Sequence, residues 1–185
     1  EIGSRYKLIE DISKQENLSI SILDIKNFSD VNDFFGYKIG DYILKLVAKR
    51  IEELVIKKPN YSVYRLTSDV FAILASNESK VDFIKNIKEI SKIISSKAIR
   101  AKGREVFVSI NYTFSFEPKN SLLETANVIR KYSKTNPNQI IYDRSLDIEK
   151  DYEKNIFWTL KIKKALENND IIPYYQAIYN LQTNK

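Results

Sequence analysis

From Glu105 to Phe116 every second residue is apolar: Val106, Val108, Ile110, Tyr112, Phe114 and Phe116 share one face of an extended chain. A period of two sustained over that length predicts a strand with one face on a core. It is the clearest strand in the sequence, and the other elements can be placed around it. Leu18 to Ile25 reads as a mostly buried strand with Asp24 at its exit. Ser62–Leu66 and Val70–Ala75 read as a hairpin whose tip is Thr67-Ser68-Asp69. Helical periodicity marks residues 4–16 (the end of a helix), Asp41 to about Ile56, Ser79 to Lys97 and Leu122 to Lys134. Gly36 and Gly40 are expected to flank a loop, and Gln139 to Tyr142 to form a closing strand. Strand, helix, hairpin, helix, strand, helix, strand is the order of an α+β layer fold.

After Asp143 the composition shifts. Leu146 to Asn168 is charged and helical and carries the single Trp, Trp158. Ile171 to Asn180 then reads as a fresh strand with no sheet of its own to join. Residues 1–143, 144–170 and 171–185 are therefore expected to be a domain, a linker helix and the beginning of a second, truncated domain.

What the chain lacks limits its chemistry. Without His or Cys there is no Ser-His-Asp or Cys-His nucleophile, no thiolate zinc site and no disulfide. Carboxylates, Lys, Arg, hydroxyls and a hard cation such as Mg²⁺ remain. The net charge of +6 comes from 23 Lys and only 7 Arg, scattered among acids. That reads as a solvated lysine-rich surface rather than a nucleic-acid face. The longest apolar run, Val70 to Ala75, is six residues, far short of the roughly 18 that span a bilayer.

Asp24 leaves the first strand, Asn32 and Asp33 follow, then Gly36, Gly40 and Asp41, and Asp69 sits at the hairpin tip. Two carboxylates at the ends of neighbouring strands can share one Mg²⁺ and so hold a nucleoside triphosphate. Each also has an ordinary reading: Asp24 as a turn residue, Asp41 as a helix N-cap, Asp69 as a hairpin-turn residue. Spacing alone favours the ordinary readings.

The run Leu-Asp-Ile-Lys-Asn-Phe-Ser-Asp-Val-Asn-Asp-Phe-Phe-Gly-Tyr-Lys-Ile-Gly-Asp over 23–41 resembles the nucleotide-binding segment of GGDEF domains, the diguanylate cyclases. Arg65-Leu66-Thr67-Ser68-Asp69-Val70-Phe71 stands where that family carries its Arg-Leu-Gly-Gly-Asp-Glu-Phe hairpin. The tail from Tyr174-Tyr175-Gln176-Ala177-Ile178 is similar to the opening strand of an EAL domain, the cyclic di-GMP phosphodiesterase that commonly follows. The resemblance implies a palm-like α+β fold with a central, mostly antiparallel sheet flanked by helices. It implies metal binding by Asp24, Asp69 and the carbonyl of Ile25. It also implies guanine reading by Asn32 and Asp41, and phosphate contacts from the backbone of Asn27, Phe28 and Ser29 and from Lys134.

The departures from the family pattern are specific. Thr67 and Ser68 replace the two glycines, Val70 replaces the second acid, Asn138 stands where a phosphate-binding Arg is expected, and Asn111 replaces a strand glycine. The product-binding RxxD motif is Lys58-Pro59-Asn60-Tyr61. The expectation is a catalytically inactive GGDEF domain beside an EAL domain. It would bind GTP with Mg²⁺ as a regulatory module, or bind no nucleotide and act as a dimerisation scaffold, a homodimer included. A residually active cyclase is the alternative. The expected location is cytoplasmic, the cytoplasmic part of a membrane-anchored protein included, with no membrane contact from these residues.

Overall fold

The computed structural model describes residues 2–174 apart from Lys102 and Asp147. The chain divides into two compact units after Asp143. In the first, β1 (Gly3–Ser4), α1 (Arg5–Lys14), β2 (Leu18–Ile25), α2 (Phe28–Phe35) and α3 (Tyr37–Val55) are followed by the hairpin of β3 (Tyr61–Arg65) and β4 (Val70–Ser76). Then come α4 (Lys80–Ser96), β5 (Ile99–Ala101), β6 (Arg104–Val106), β7 (Ile110–Ser115) and α5 (Lys119–Tyr132). The regular element described in the second unit is α6 (Ile148–Glu167), along which Phe157, Trp158, Leu160 and Leu166 are all exposed.

The main sheet runs β1-β3-β4-β2-β7, antiparallel except for the short β1–β3 pairing, and β5 and β6 form a separate two-stranded ribbon. β2 lies between β4 and β7, and all eight of its residues are buried. Both faces of the sheet are covered, which explains why Ser19 and Ser21 are buried alongside the isoleucines. Leu23 and Ile25 pack with α3, α4 and Phe114 on one side. Ile20 and Ile22 pack with Leu8 and Ile12 of α1 and Leu122 and Ala126 of α5 on the other. Since alternate residues share a face, Asp24 follows Ile20 and Ile22 onto the side covered by α5.

Four expectations need correction. Residues 4–16 do not read as a helix end: α1 starts afresh at Arg5, with Ser4 as N-cap accepting a bond from the Lys7 amide. The helix expected from Asp41 begins at Tyr37, so Gly40 and Asp41 lie inside α3 and Asp41 caps nothing. Glu105 to Phe116 is not one strand. Its alternation in burial holds through Val106, Val108 and Ile110, but the chain leaves the β5–β6 ribbon at Val106 and enters the main sheet only at Ile110. Finally, Gln139 to Tyr142 contributes a single parallel bridge, Ile141 to Phe114. Of the strand expected at Ile171–Asn180, residues 171–174 have no regular structure and the rest lies outside the described residues.

Candidate functional site

Sheet register gathers the acidic residues at one end of β2. Asp24 is paired across the ladders with Val70 of β4 and Asn111 of β7. The Ile25 amide donates to the Asp69 carbonyl at 3.2 Å, tying the hairpin tip to the exit of β2. The chain then turns at Asn27, which has a left-handed φ of 53° and caps α2 without a side-chain hydrogen bond. Asn tolerates that conformation better than most residues, and it starts a helix immediately beyond the strand. The amides of Phe28 and Ser29 belong to the first turn of that helix, where intrahelical partners are missing. The side chain of Phe28 is buried in the core, so only its main chain is available to a ligand.

Asn32 projects from α2 onto α3 at Gly40. A Cβ placed on Gly40 would lie 1.9 Å from the Asn32 Oδ1 and 3.3 Å from the Phe28 Cζ. Gly40 is therefore a close-approach glycine: the space its missing side chain leaves is filled by the carboxamide. Asp41, the next residue, is exposed. Asn32 and Asp41, which resemblance alone paired, thus sit on either side of one helix contact.

Asp24 is engaged by α5. Its residue is 8% exposed. The Arg130 Nη1 donates to its Oδ2 at 2.9 Å, and the Lys134 Nζ stands 3.8 Å from the same oxygen. Arg130 was not singled out in the sequence. Leu122, Ala126 and Arg130 are spaced four apart, so Arg130 prolongs the stripe with which α5 covers β2; an Arg ending an apolar stripe one turn before Lys134 was the available signal. A cavity of about 530 Å³ opens here, lined by Asp24, Lys26, Asn111, Thr113, Arg130 and Lys134 among others. Asn138 is exposed and is not among its lining residues.

These residues fit a resident Mg²⁺ poorly. The ion requires near-octahedral oxygen coordination. At this sheet end it would have two carboxylates, Asp24 and Asp69, and the Ile25 carbonyl to draw on. Of the two carboxylates proposed for the metal, Asp24 is already paired with a guanidinium, and Asp69 Oδ1 accepts the Ser68 hydroxyl at 3.0 Å.

The hairpin tip is held from within. The Arg65 guanidinium donates to the Ser68 carbonyl at 2.7 Å and 3.2 Å and to the Thr67 carbonyl at 3.3 Å. Among the described residues, positive φ at non-glycine positions occurs at Asn17, Asn27, Asn77 and Asn169. Thr67 and Ser68 do not adopt it, so the turn is of a kind that needs no glycine. Val70 is buried beside Ala72 and Leu74, and Phe71 is fully buried on the opposite face.

The Lys58–Tyr61 segment is built into the fold. Lys58 Nζ donates to Asn86 Oδ1 at 2.8 Å and lies over the Tyr61 ring. Asn86 Nδ2 donates to the Tyr61 hydroxyl at 2.9 Å and to Glu78 Oε1 at 3.2 Å. Burial pushes the Tyr61 hydroxyl up to about 12, so it stays neutral throughout the physiological range. Tyr61 thus cannot replace the Asp of an RxxD motif, and Lys58 offers a point charge instead of a planar fork. Cyclic di-GMP is expected not to bind this segment. Calorimetric titration checks this: micromolar binding that Lys58→Ala removes would show a surviving site.

The comparisons with known proteins agree with this architecture. Residues 6–134 match the family model described as "Diguanylate cyclase, GGDEF domain". The chain belongs to the GGDEF family, the domains of cyclic di-GMP signalling. It is 29% identical over 183 residues to the cyclic di-GMP phosphodiesterase PdeB of Shewanella oneidensis, covering 95% of this chain and 21% of that protein. It is 29% identical over 136 residues to diguanylate cyclase A of Treponema denticola, covering 71% of this chain and 36% of that protein. The chain therefore spans only about a fifth to a third of these relatives. Among solved structures, the GGDEF domain of TpbB (YfiN) from Pseudomonas aeruginosa superposes with a TM-score of 0.69 at 21% identity, covering 82% of this chain and 95% of that one. The GGDEF domain of DgcB from Caulobacter crescentus, solved with c-di-GMP, gives 0.66 at 19% identity, covering 76% and 90%. The fold is the palm-like α+β sheet of this family. Among the described residues no helix is long and apolar enough to cross a membrane.

Proposed function

We propose that residues 1–143 are a catalytically inactive GGDEF domain that binds GTP as a regulatory module of a cyclic di-GMP signalling protein, with a phosphodiesterase domain of the EAL type following. The observation that carries the nucleotide reading is the fit of Asn32 over Gly40 with Asp41 beside it. A carboxamide and a carboxylate held on adjoining helices can read the donor and acceptor edge of guanine. Lys134, 61% exposed at its side chain, and the start of α2 offer a cation and main-chain donors to phosphate oxygens. The reaction centre is where support for turnover fails: Val70 is apolar and buried, Asn138 carries no charge, and Thr67 and Ser68 close the hairpin without positive φ. What favours the phosphodiesterase neighbour is the similarity to PdeB, which continues through the second unit of this chain.

The test is calorimetric titration of GTP into wild type and Gly40→Ala. The added Cβ displaces the Asn32 carboxamide, so affinity is expected to fall at least about tenfold, the loss of one good polar contact. ATP serves as the control for base reading. Equal and negligible binding of GTP by both proteins leaves a scaffold that needs none of these residues.

A further inference from the structure

We infer that Arg130 takes the place of the divalent cation at Asp24: the guanidinium is a built-in counter-ion that closes this carboxylate to metal. The inference rests on the Asp24 geometry alone and stands whether or not GTP binds.

Three observations carry it. Asp24 is nearly buried, and a buried carboxylate needs a cation or several donors to remain charged. The cation it has comes from a side chain only 20% exposed on a helix packed across the same sheet face, so the pair is set by the fold and not by a mobile surface contact. Lys134 adds a second positive charge 3.8 Å from the same oxygen. A Mg²⁺ at Asp24 would have to displace one cation and sit beside another, with a single further carboxylate, Asp69, to offset the repulsion. Arg cannot deprotonate to make room. A guanidinium supplies a fixed charge with directed donors, but it cannot coordinate a hydroxyl and lower its pKa as a metal does. The exchange leaves Asp24 with a counter-ion of its own and removes the site's Lewis acid.

The probe is Mn²⁺ alone, titrated without nucleotide and read by the loss of its free electron paramagnetic resonance signal. Wild type is expected to show no binding at this site in the micromolar range. Arg130→Met keeps the length of the side chain and removes its charge, and is expected to gain one Mn²⁺ site. Removing a unit positive charge that stands 2.9 Å from the Asp24 Oδ2 relieves direct repulsion of a divalent cation there, so the gain should be at least about tenfold. Arg130→Lys should behave as wild type, and Asp24→Asn combined with Arg130→Met should lose the gained site. If Arg130→Met folds weakly, its thermal midpoint should rise with Mn²⁺ while that of wild type does not. Equal Mn²⁺ affinity in wild type and Arg130→Met, whether tight or absent in both, overturns the inference.

Discussion

Arg130→Met is expected to destabilise the domain by about 3 kcal/mol, the low end of the range for removing one partner of a buried ion pair. The cost comes mainly from Asp24, left without its guanidinium at the end of a strand with little water around it. Lys134, at 3.8 Å, remains as a weaker counter-ion and keeps the loss from being larger. Asp24→Asn leaves the mirror defect, a half-buried guanidinium without its carboxylate. Combining the two substitutions removes both charges, so the double variant should recover much of the stability that the singles lose. Urea unfolding of the four proteins measures this directly, and the pair should respond little to salt because it is shielded from solvent. Strictly additive losses in the double variant would mean that Asp24 and Arg130 do not depend on each other.

That pair also marks the limit of what the sequence disclosed. The run Leu18 to Ile25 was legible as a strand because apolar residues dominate it, and Asp24 stood out as the charge at its end. What lay opposite could not be read from local pattern, because the contact joins residues 106 positions apart. Register between β2, β4 and β7 is likewise non-local, and it brings Asp24 level with Val70 and Asn111. Gly40 misled for a different reason. A glycine in a helical pattern suggests a break, yet here it lies inside α3, and its missing side chain makes room for Asn32. The ribbon of β5 and β6 was hidden by the regularity of the alternation from Val106 to Phe116. Local periodicity reports which face is buried, and it continues unchanged when a chain passes from one sheet to another.

The site was legible chiefly as a family pattern. Residues 23–41 and 65–71 carry the resemblance, and the fold brings Asp24, Ile25 and Asp69 to one sheet end with Asn32 and Gly40–Asp41 on the adjoining helices. Thr67 and Ser68 were legible as departures, but what they build was not. The turn they make is fastened by Arg65, a residue that the resemblance treated only as a flank.

No cyclic di-GMP is expected when the domain is incubated with GTP and Mg²⁺, even at high protein concentration. Joining two nucleotides requires the 3′-hydroxyl of one to be aligned on the α-phosphate of the other, and small displacements there cost large factors in rate. Three contributions to that alignment and to charge stabilisation are absent together. Val70 leaves no second acid, Asn138 leaves no second cation, and Arg130 holds the carboxylate that a metal would use. A missing acid or base costs about 10²–10⁴ in rate and a missing electrostatic contact about 10²–10³. Even with incomplete additivity, turnover should fall at least about 10⁴-fold below that of an intact cyclase. Changing Thr67 and Ser68 to glycine should not restore it, because the acid, the cation and the open metal position are still lacking. Chromatography of the reaction products decides the matter: steady cyclic dinucleotide formation by wild type, abolished by Asp69→Ala, would show that this hairpin still supports catalysis.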